Sequence, residues 1–257
     1  MTITAFRRCS FPVALLFLTG LLGCGFVSTS TAGKAQGTKQ KKEIDKDLAE
    51  DLKPKEGKRA KIGKNVYLEV FPGDKRRVLI KAEVCRREGE LEQLMCLKET
   101  KEHEAVLTAD CDARRIHQAL ILAKAKAGSP VRFGEKFQPA NGTAIRVLVQ
   151  YEKKGKTVIA PAAKWIRHFQ TKKELNSNWV FAGSKFIKSI DPNIPDRYAA
   201  NDGDVICVSN FESALLDLPV KSSKDAGNLL WQANTSEIPA ERTPVTIILQ
   251  PLLEKKK

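Results

Sequence analysis

Side chains able to do chemistry are few in this 257-residue chain, and its six cysteines and three histidines come first. Cys9 and Cys24 lie near the N-terminus, and Cys85, Cys96, Cys111 and Cys207 lie beyond it. Four thiols allow three pairings. Cys85 and Cys96 flank a turn signal at Glu88-Gly89 and are the natural disulfide candidates. Closing so short a loop would stabilise the fold by roughly 3 kcal/mol on a chain-entropy model. Cys207, inside Val205-Ile206-Cys207-Val208, reads as a small buried residue.

His103 and Glu104 are adjacent, and His117 follows on a predicted helix. With Cys96 they make a set of weak catalytic candidates for general acid–base or thiol chemistry, and their types suit zinc. No His-Glu-x-x-His or Cys-x-x-Cys spacing supports a metal, so none is assigned; a helix-edge histidine bonded to a strand explains His117 equally simply. Asp202-Gly203-Asp204 could put two carboxylates on one turn, as a calcium loop does. The further spaced ligands of such a loop are missing, which favours a hairpin turn. Asp202, Asp204, Ser209 and Asn210 stand as binding candidates. Ser184 lacks the Gly-x-Ser-x-Gly frame of a nucleophile elbow, and no phosphate-cradling glycine motif occurs.

The elements that must carry these residues are mostly short strands. Val66–Phe71 and Arg77–Val84 are β-branched runs around Pro72-Gly73-Asp74, which predicts a hairpin. Strands are also expected at Glu104–Thr108, Ala144–Tyr151, Thr157–Ala160, Trp179–Ala182, Asp204–Ser209 and Pro244–Leu249. A hairpin turn at Lys154-Gly155 joins two of them. Asp112 caps a helix expected over Ala113–Ala127, with Ile116, Ala119, Leu120 and Ala123 as its inner stripe. Trp165, Trp179 and Phe181 read as core. Many strands around one clear helix predict a single α+β domain of mainly antiparallel sheet.

Composition divides the chain. Arg7-Arg8 followed by an apolar stretch ending in Leu21-Leu22-Gly23-Cys24 has the proportions of a secretory signal. Its end is similar to a bacterial lipobox, which makes residues 1–23 a lipoprotein signal and Cys24 the lipidation site. Cleavage after Ala32 or an uncleaved anchor are the alternatives. Residues 24–61 are nearly devoid of apolar side chains and read as a flexible tether. Residues 62–251 form the domain, and residues 252–257 a charged tail. The formal charge of +14 is spread over all of these, leaving about +6 on the domain, an ordinary value for solubility. Gly25 after Cys24 implies an outer-membrane lipoprotein facing the periplasm or cell surface. The membrane is then one partner, an envelope protein or anionic wall polymer another, and nucleic acid is not expected.

One resemblance spans most of the domain. Val84-Cys85, Leu91-Glu92, Cys96, Lys101-Glu102-His103-Glu104, Ile116-His117 and Trp179–Ser184 resemble the YdjY-like domain. So do Asp202-Gly203-Asp204, Ile206, Val208–Phe211 and Leu216–Pro219. The resemblance implies an exported protein, frequently of planctomycete-type bacteria, and names no reaction. Some distant relatives carry a cysteine-rich C-terminal stretch. Only Cys207 stands in the matching strand here, so an iron–sulfur cluster is not supported and no cofactor is assigned. The readings are an envelope binding module first, and a periplasmic hydrolase or thiol/His-dependent enzyme second.

Overall fold

The computed structural model describes residues 57–223 and 228–253. The expected signal peptide with Cys24, most of the expected tether and the end of the expected tail lie outside the described residues. Three strands open the described chain: β1 (Lys58–Gly63), β2 (Val66–Val70) and β3 (Arg76–Val84). The Pro72–Asp74 turn joins β2 to β3 as an antiparallel hairpin, as its turn chemistry predicts. β1, whose first residues the composition assigned to the tether, is an edge strand with Lys58, Arg59 and Lys61 exposed. Charges on such an edge discourage pairing with another chain.

Next come β4 (Glu90–Leu91), β5 (Gln93–Leu97), β6 (Ala105–Ala109) and the helix α1 (Ala113–Leu122). The Asp112 carboxylate accepts the Arg114 N–H at 2.8 Å and so caps α1. Ile116, Ala119, Leu120 and Ala123 are all buried, and α1 lays this stripe against β2 and β3. The helix stops well before the expected Ala127. Lys124 takes a left-handed conformation with φ of 69°, the Ala125 N–H bonds the Leu120 carbonyl, and the Lys124 N–H bonds that of Ile121. This closes the helix as glycine commonly does, but with a lysine in the glycine position.

The remaining elements are β7 (Ala127–Ser129), β8 (Asn141–Gly142), β9 (Ala144–Lys153) and β10 (Lys156–Pro161). β11 (Ile166–His168), β12 (Trp179–Phe181), β13 (Phe186–Ile187) and β14 (Arg197–Tyr198) follow. Last come β15 (Ile206–Cys207), β16 (Leu216–Asp217), β17 (Trp231–Ala233) and β18 (Pro244–Pro251). Lys154 and Gly155 both have positive φ, the two-residue turn that matches strand twist, and they join β9 to β10.

The expected α+β fold with open antiparallel sheets is wrong. The domain is mainly β, and eight strands close into a barrel in the order β3, β18, β9, β12, β16, β15, β5, β6. Closure comes from β6 pairing back onto β3 through Glu83↔Thr108 and Val84↔Leu107. Val78, Ile80, Met95, Leu107, Phe181, Ile206 and Ile247 belong to its buried core. One helix of ten residues, among those described, is too little to form a layer of its own.

Two neighbouring pairs in the barrel wall are parallel, β5–β6 and β15–β16. Successive strands that run the same way oblige the chain to travel back along the wall between them. Residues 98–104 make that return journey for the first pair, and residues 208–215 for the second. These two loops lie over adjacent strands, since β5 also pairs with β15.

Candidate functional site

The two return loops cover a seam of polar groups on the wall made by β5, β6, β15 and β16. Gln93, on β5 opposite Cys207, donates from Nε2 to Asp204 Oδ1 at 3.2 Å. The same carboxylate oxygen takes Lys101 Nζ at 2.9 Å, and Ser213 Oγ donates to its other oxygen. Lys101 also lies 3.7 Å from Glu104 Oε1, and its ammonium sits 4.7 Å over the Phe211 ring. Glu92 completes the group. Its N–H donates to the Glu104 carbonyl (3.0 Å), and its own carbonyl accepts from Val208 and Ser209 (2.8 and 3.0 Å).

Burial, and then the adjoining Glu104 carboxylate, push the Glu92 carboxyl up to about 7. At neutral pH Glu92 is therefore only part-ionised, close to the Glu104 side chain and to Lys101. Burial pulls the Lys101 ammonium down, but Asp204 and Glu104 outweigh it and raise its pKa. Deeper in the wall, burial lifts Asp217 to about 7 as well, although its Oδ1 accepts the Leu218 N–H at 2.7 Å and Asn210 Nδ2 at 3.2 Å. Gln93 Oε1, Ser209 Oγ and Asp217 Oδ2 are buried without a partner among the described residues.

At the β3 end of the seam lie Cys85 and Cys96, both as free thiols. Cys85 is partly exposed and directs its S–H to the Ala105 carbonyl (3.3 Å), while Cys96 is wholly buried. Contact with Cys85, the Lys101 N–H and the Thr108 and Thr100 hydroxyls hold Cys96 below the usual thiol range. Contact with Cys96, then burial, raise Cys85.

The sequence candidates divide. Cys85, Cys96, Glu104 and Asp204 all meet in the seam. Ser209 and Asn210 lie on its second loop, where Asn210 is structural: its Oδ1 accepts the Ser222 N–H (2.6 Å) and its N–H reaches Ser223 (2.8 Å). Asp202 and Asp204 do not share a turn site, because Asp202 faces outward to Arg197. His103 caps the first loop with its side chain 77% exposed, its Nε2 3.7 Å from Glu104 Oε2. His117 is held elsewhere: Nδ1 lies 2.8 Å from the Tyr198 hydroxyl, which donates to the Gly183 carbonyl (2.7 Å). Its ring meets Phe181 edge-on at 4.8 Å, and burial lowers its pKa. The four zinc-type candidates are thus not gathered into one ligand set.

Sequence reasoning passed over Glu92, Gln93, Lys101 and Asp217. The visible signal was polarity inside an apolar run: Glu92-Gln93 interrupts Leu91–Leu97, yet Gln93 is completely buried.

A second surface adjoins the seam. β13 and β14 form a hairpin that projects Phe186, Ile187, Ile190 and Ile194, which are 60%, 38%, 104% and 58% exposed. Its base is fixed to the second return loop. The Gly183 and Ser184 N–H groups bond Leu215 and Ala214 (both 3.0 Å), and Lys185 pairs with Glu212 at 2.9 Å. The loop that supplies Phe211 and Ser213 to the seam thereby also carries the apolar hairpin.

No curated protein and no solved structure matches the chain. A family model does, the YdjY domain, over residues 71–250. That span takes in β3 through most of β18 and so the whole barrel with both return loops. The chain belongs to the YdjY domain family.

Proposed function

We propose that this protein is an exported, lipid-anchored binding module of the cell envelope, and that its partner is another protein. The apolar hairpin carries this reading. Four large hydrophobic side chains on one projecting hairpin lose favourable burial in the free protein and regain it only against a partner. The charges around them are of both signs: Lys185, Lys188, Asp191, Asp196 and Arg197. Such a rim suits a protein surface better than an anionic polymer. The lipobox-like Leu21–Cys24 and the polar tether would hold the domain near a membrane with freedom to reach a partner.

A photo-crosslinker at position 190 of the full chain in its own cells tests the reading. A discrete adduct that disappears in the Ile194→Asp variant supports it. Only uncrosslinked monomer, with the variant behaving as wild type, overturns it.

A second reading, a periplasmic hydrolase, is favoured by the Glu92–Glu104 pair. A Glu92 carboxyl raised to about 7 is able both to give and to take a proton at neutral pH. Those two carboxyls, and not His103 and His117, would then carry the chemistry. Turnover of chromogenic ester, amide or glycoside substrates that is lost in Glu92→Gln with the fold intact would support this reading. Undiminished turnover in that variant would exclude it.

A further inference from the structure

We propose that Arg167 and Lys172, gathered on the open face of a small sheet, bind the phosphate group of an organic phosphate ester, with Phe169 as the wall for its organic part. The inference is independent of the apolar hairpin and of the carboxyl pair, since it uses neither.

β11, β17 and β4 form a three-stranded antiparallel sheet separate from the barrel. Side chains alternate across such a sheet. Ile166, Ala233 and Leu91 belong to the buried core, whereas Arg167, Gln232 and Glu90 follow one another rung to rung on the opposite face. In the amide orientation that meets both donors, the Gln232 oxygen accepts Arg167 Nε at 2.9 Å and Lys172 Nζ at 3.0 Å. Two cations thus converge on one neutral acceptor.

Carboxylates stand near but do not take up these charges. Glu90 shares the Gln232 rung, and Glu174 is bridged to Arg167, so both lie on the same face. Among the described residues neither forms an ion pair with Arg167 or Lys172. The terminal nitrogens of the guanidinium and most of the ammonium protons therefore keep no protein acceptor among those residues. A phosphate monoester suits this set of donors better than a carboxylate, because it brings about two negative charges and a third oxygen.

The turn that carries Lys172 holds it over the sheet. The Lys172 N–H donates to the His168 carbonyl at 2.9 Å, and the His168 N–H to the Lys173 carbonyl at 2.8 Å. His168 Nδ1 accepts the Gln170 and Thr171 N–H groups at 3.2 and 3.3 Å. Lys172 itself is left-handed, with φ of 56°, a conformation that suits glycine and strains lysine. Its ammonium lies 4.8 Å over the Phe169 ring, which is 43% exposed. Phe169 thereby borders the two cations with an open apolar surface on which the organic part of an ester can rest.

Amide NMR spectra of the isotope-labelled full chain should be followed at low ionic strength during titration with inorganic phosphate, phenyl phosphate and benzoate. Phenyl phosphate should give saturable shifts centred on residues 166–174 and 231–233, with roughly millimolar affinity. Arg167→Gln should weaken this binding by about tenfold or more. Lys172→Gly should weaken it as much while the melting temperature stays the same or rises, since glycine relieves the left-handed turn. A lysine kept only for structure would not separate those two readouts. Phenyl phosphate should bind more tightly than inorganic phosphate, and Phe169→Ala should abolish the difference; equal affinities in the wild type would overturn the assignment to an ester. Tighter binding of benzoate would overturn the choice of phosphate. The absence of saturable shifts, or shifts undiminished in both Arg167→Gln and Lys172→Gly, would overturn the site itself.

Discussion

Glu92 and Glu104 are tied together by the 3.0 Å bond from the Glu92 N–H to the Glu104 carbonyl, and the Glu104 side chain joins burial in raising the Glu92 carboxyl. The consequence is a stability that depends on pH. Unfolded, Glu92 ionises near 4.5, whereas folded it keeps its proton up to about 7. Between those values the folded state binds more protons than the unfolded one. Stability from this group is therefore greatest below about 4.5, falls as pH rises towards 7 and is flat above it. Asp217, raised from 3.8 to about 7, acts in the same direction. Thermal melts between pH 5 and 8 should show the wild type losing several degrees, and Glu92→Gln should have a shallower slope. An equal slope in both would remove the carboxyl pair as the cause.

Asp112→Ala should destabilise the domain by about 1–2 kcal/mol in urea titrations. The carboxylate caps α1 at Arg114 N and also accepts Asn201 Nδ2 at 3.2 Å, while Asn201 Oδ1 receives the Ala113 N–H at 2.8 Å. Asp112→Asn, which keeps one acceptor oxygen, should recover most of the loss.

Trp179→Phe should cost about 2–4 kcal/mol. Trp179 is 1% exposed, and its Nε1–H donates to the Cys207 carbonyl at 2.7 Å, linking β12 to β15 from across β16. Phenylalanine would leave both a void and a buried carbonyl without its donor. A chevron analysis that finds less than about 0.5 kcal/mol would show that the wall relaxes around the smaller ring.

Gly142→Ala should destabilise by at least about 1 kcal/mol. Gly142 has φ of 138°, and a Cβ there would fall on the Phe181 carbonyl oxygen, part of the backbone of β12. Gly155→Ala is the useful contrast, because its φ of 71° is also positive but nothing lies within 4 Å. Comparing the two melting temperatures separates backbone strain from collision.

Local rules made some of this legible. The Asp112 cap, the buried Ile116–Ala123 stripe, and the turns at Pro72–Asp74 and Lys154-Gly155 each depend on residues close in sequence, and each is where the residues placed it. Barrel closure is of another kind. It rests on Val84 finding Leu107, and on β16, whose two residues are too few to leave a periodic pattern. The helix end was misread because Lys124 occupies a conformation that usually announces itself as glycine. In the site, Cys85 and Cys96 are close in sequence but are free thiols beside opposite edges of β6. The bond between Lys101 and Asp204, 103 residues apart, had no local signature.

β18, the last strand among the described residues, is inserted between β3 and β9 and pairs with both along nearly its whole length. A nascent chain that has not yet yielded residues 244–251 therefore has two unfilled strand edges facing a gap in the wall. Such a species cannot finish folding however long synthesis takes, and its open edges invite pairing with other chains. Residues 244–251 act as the keystone, so a frameshift or stop codon ahead of them would leave the barrel open even with every other strand present.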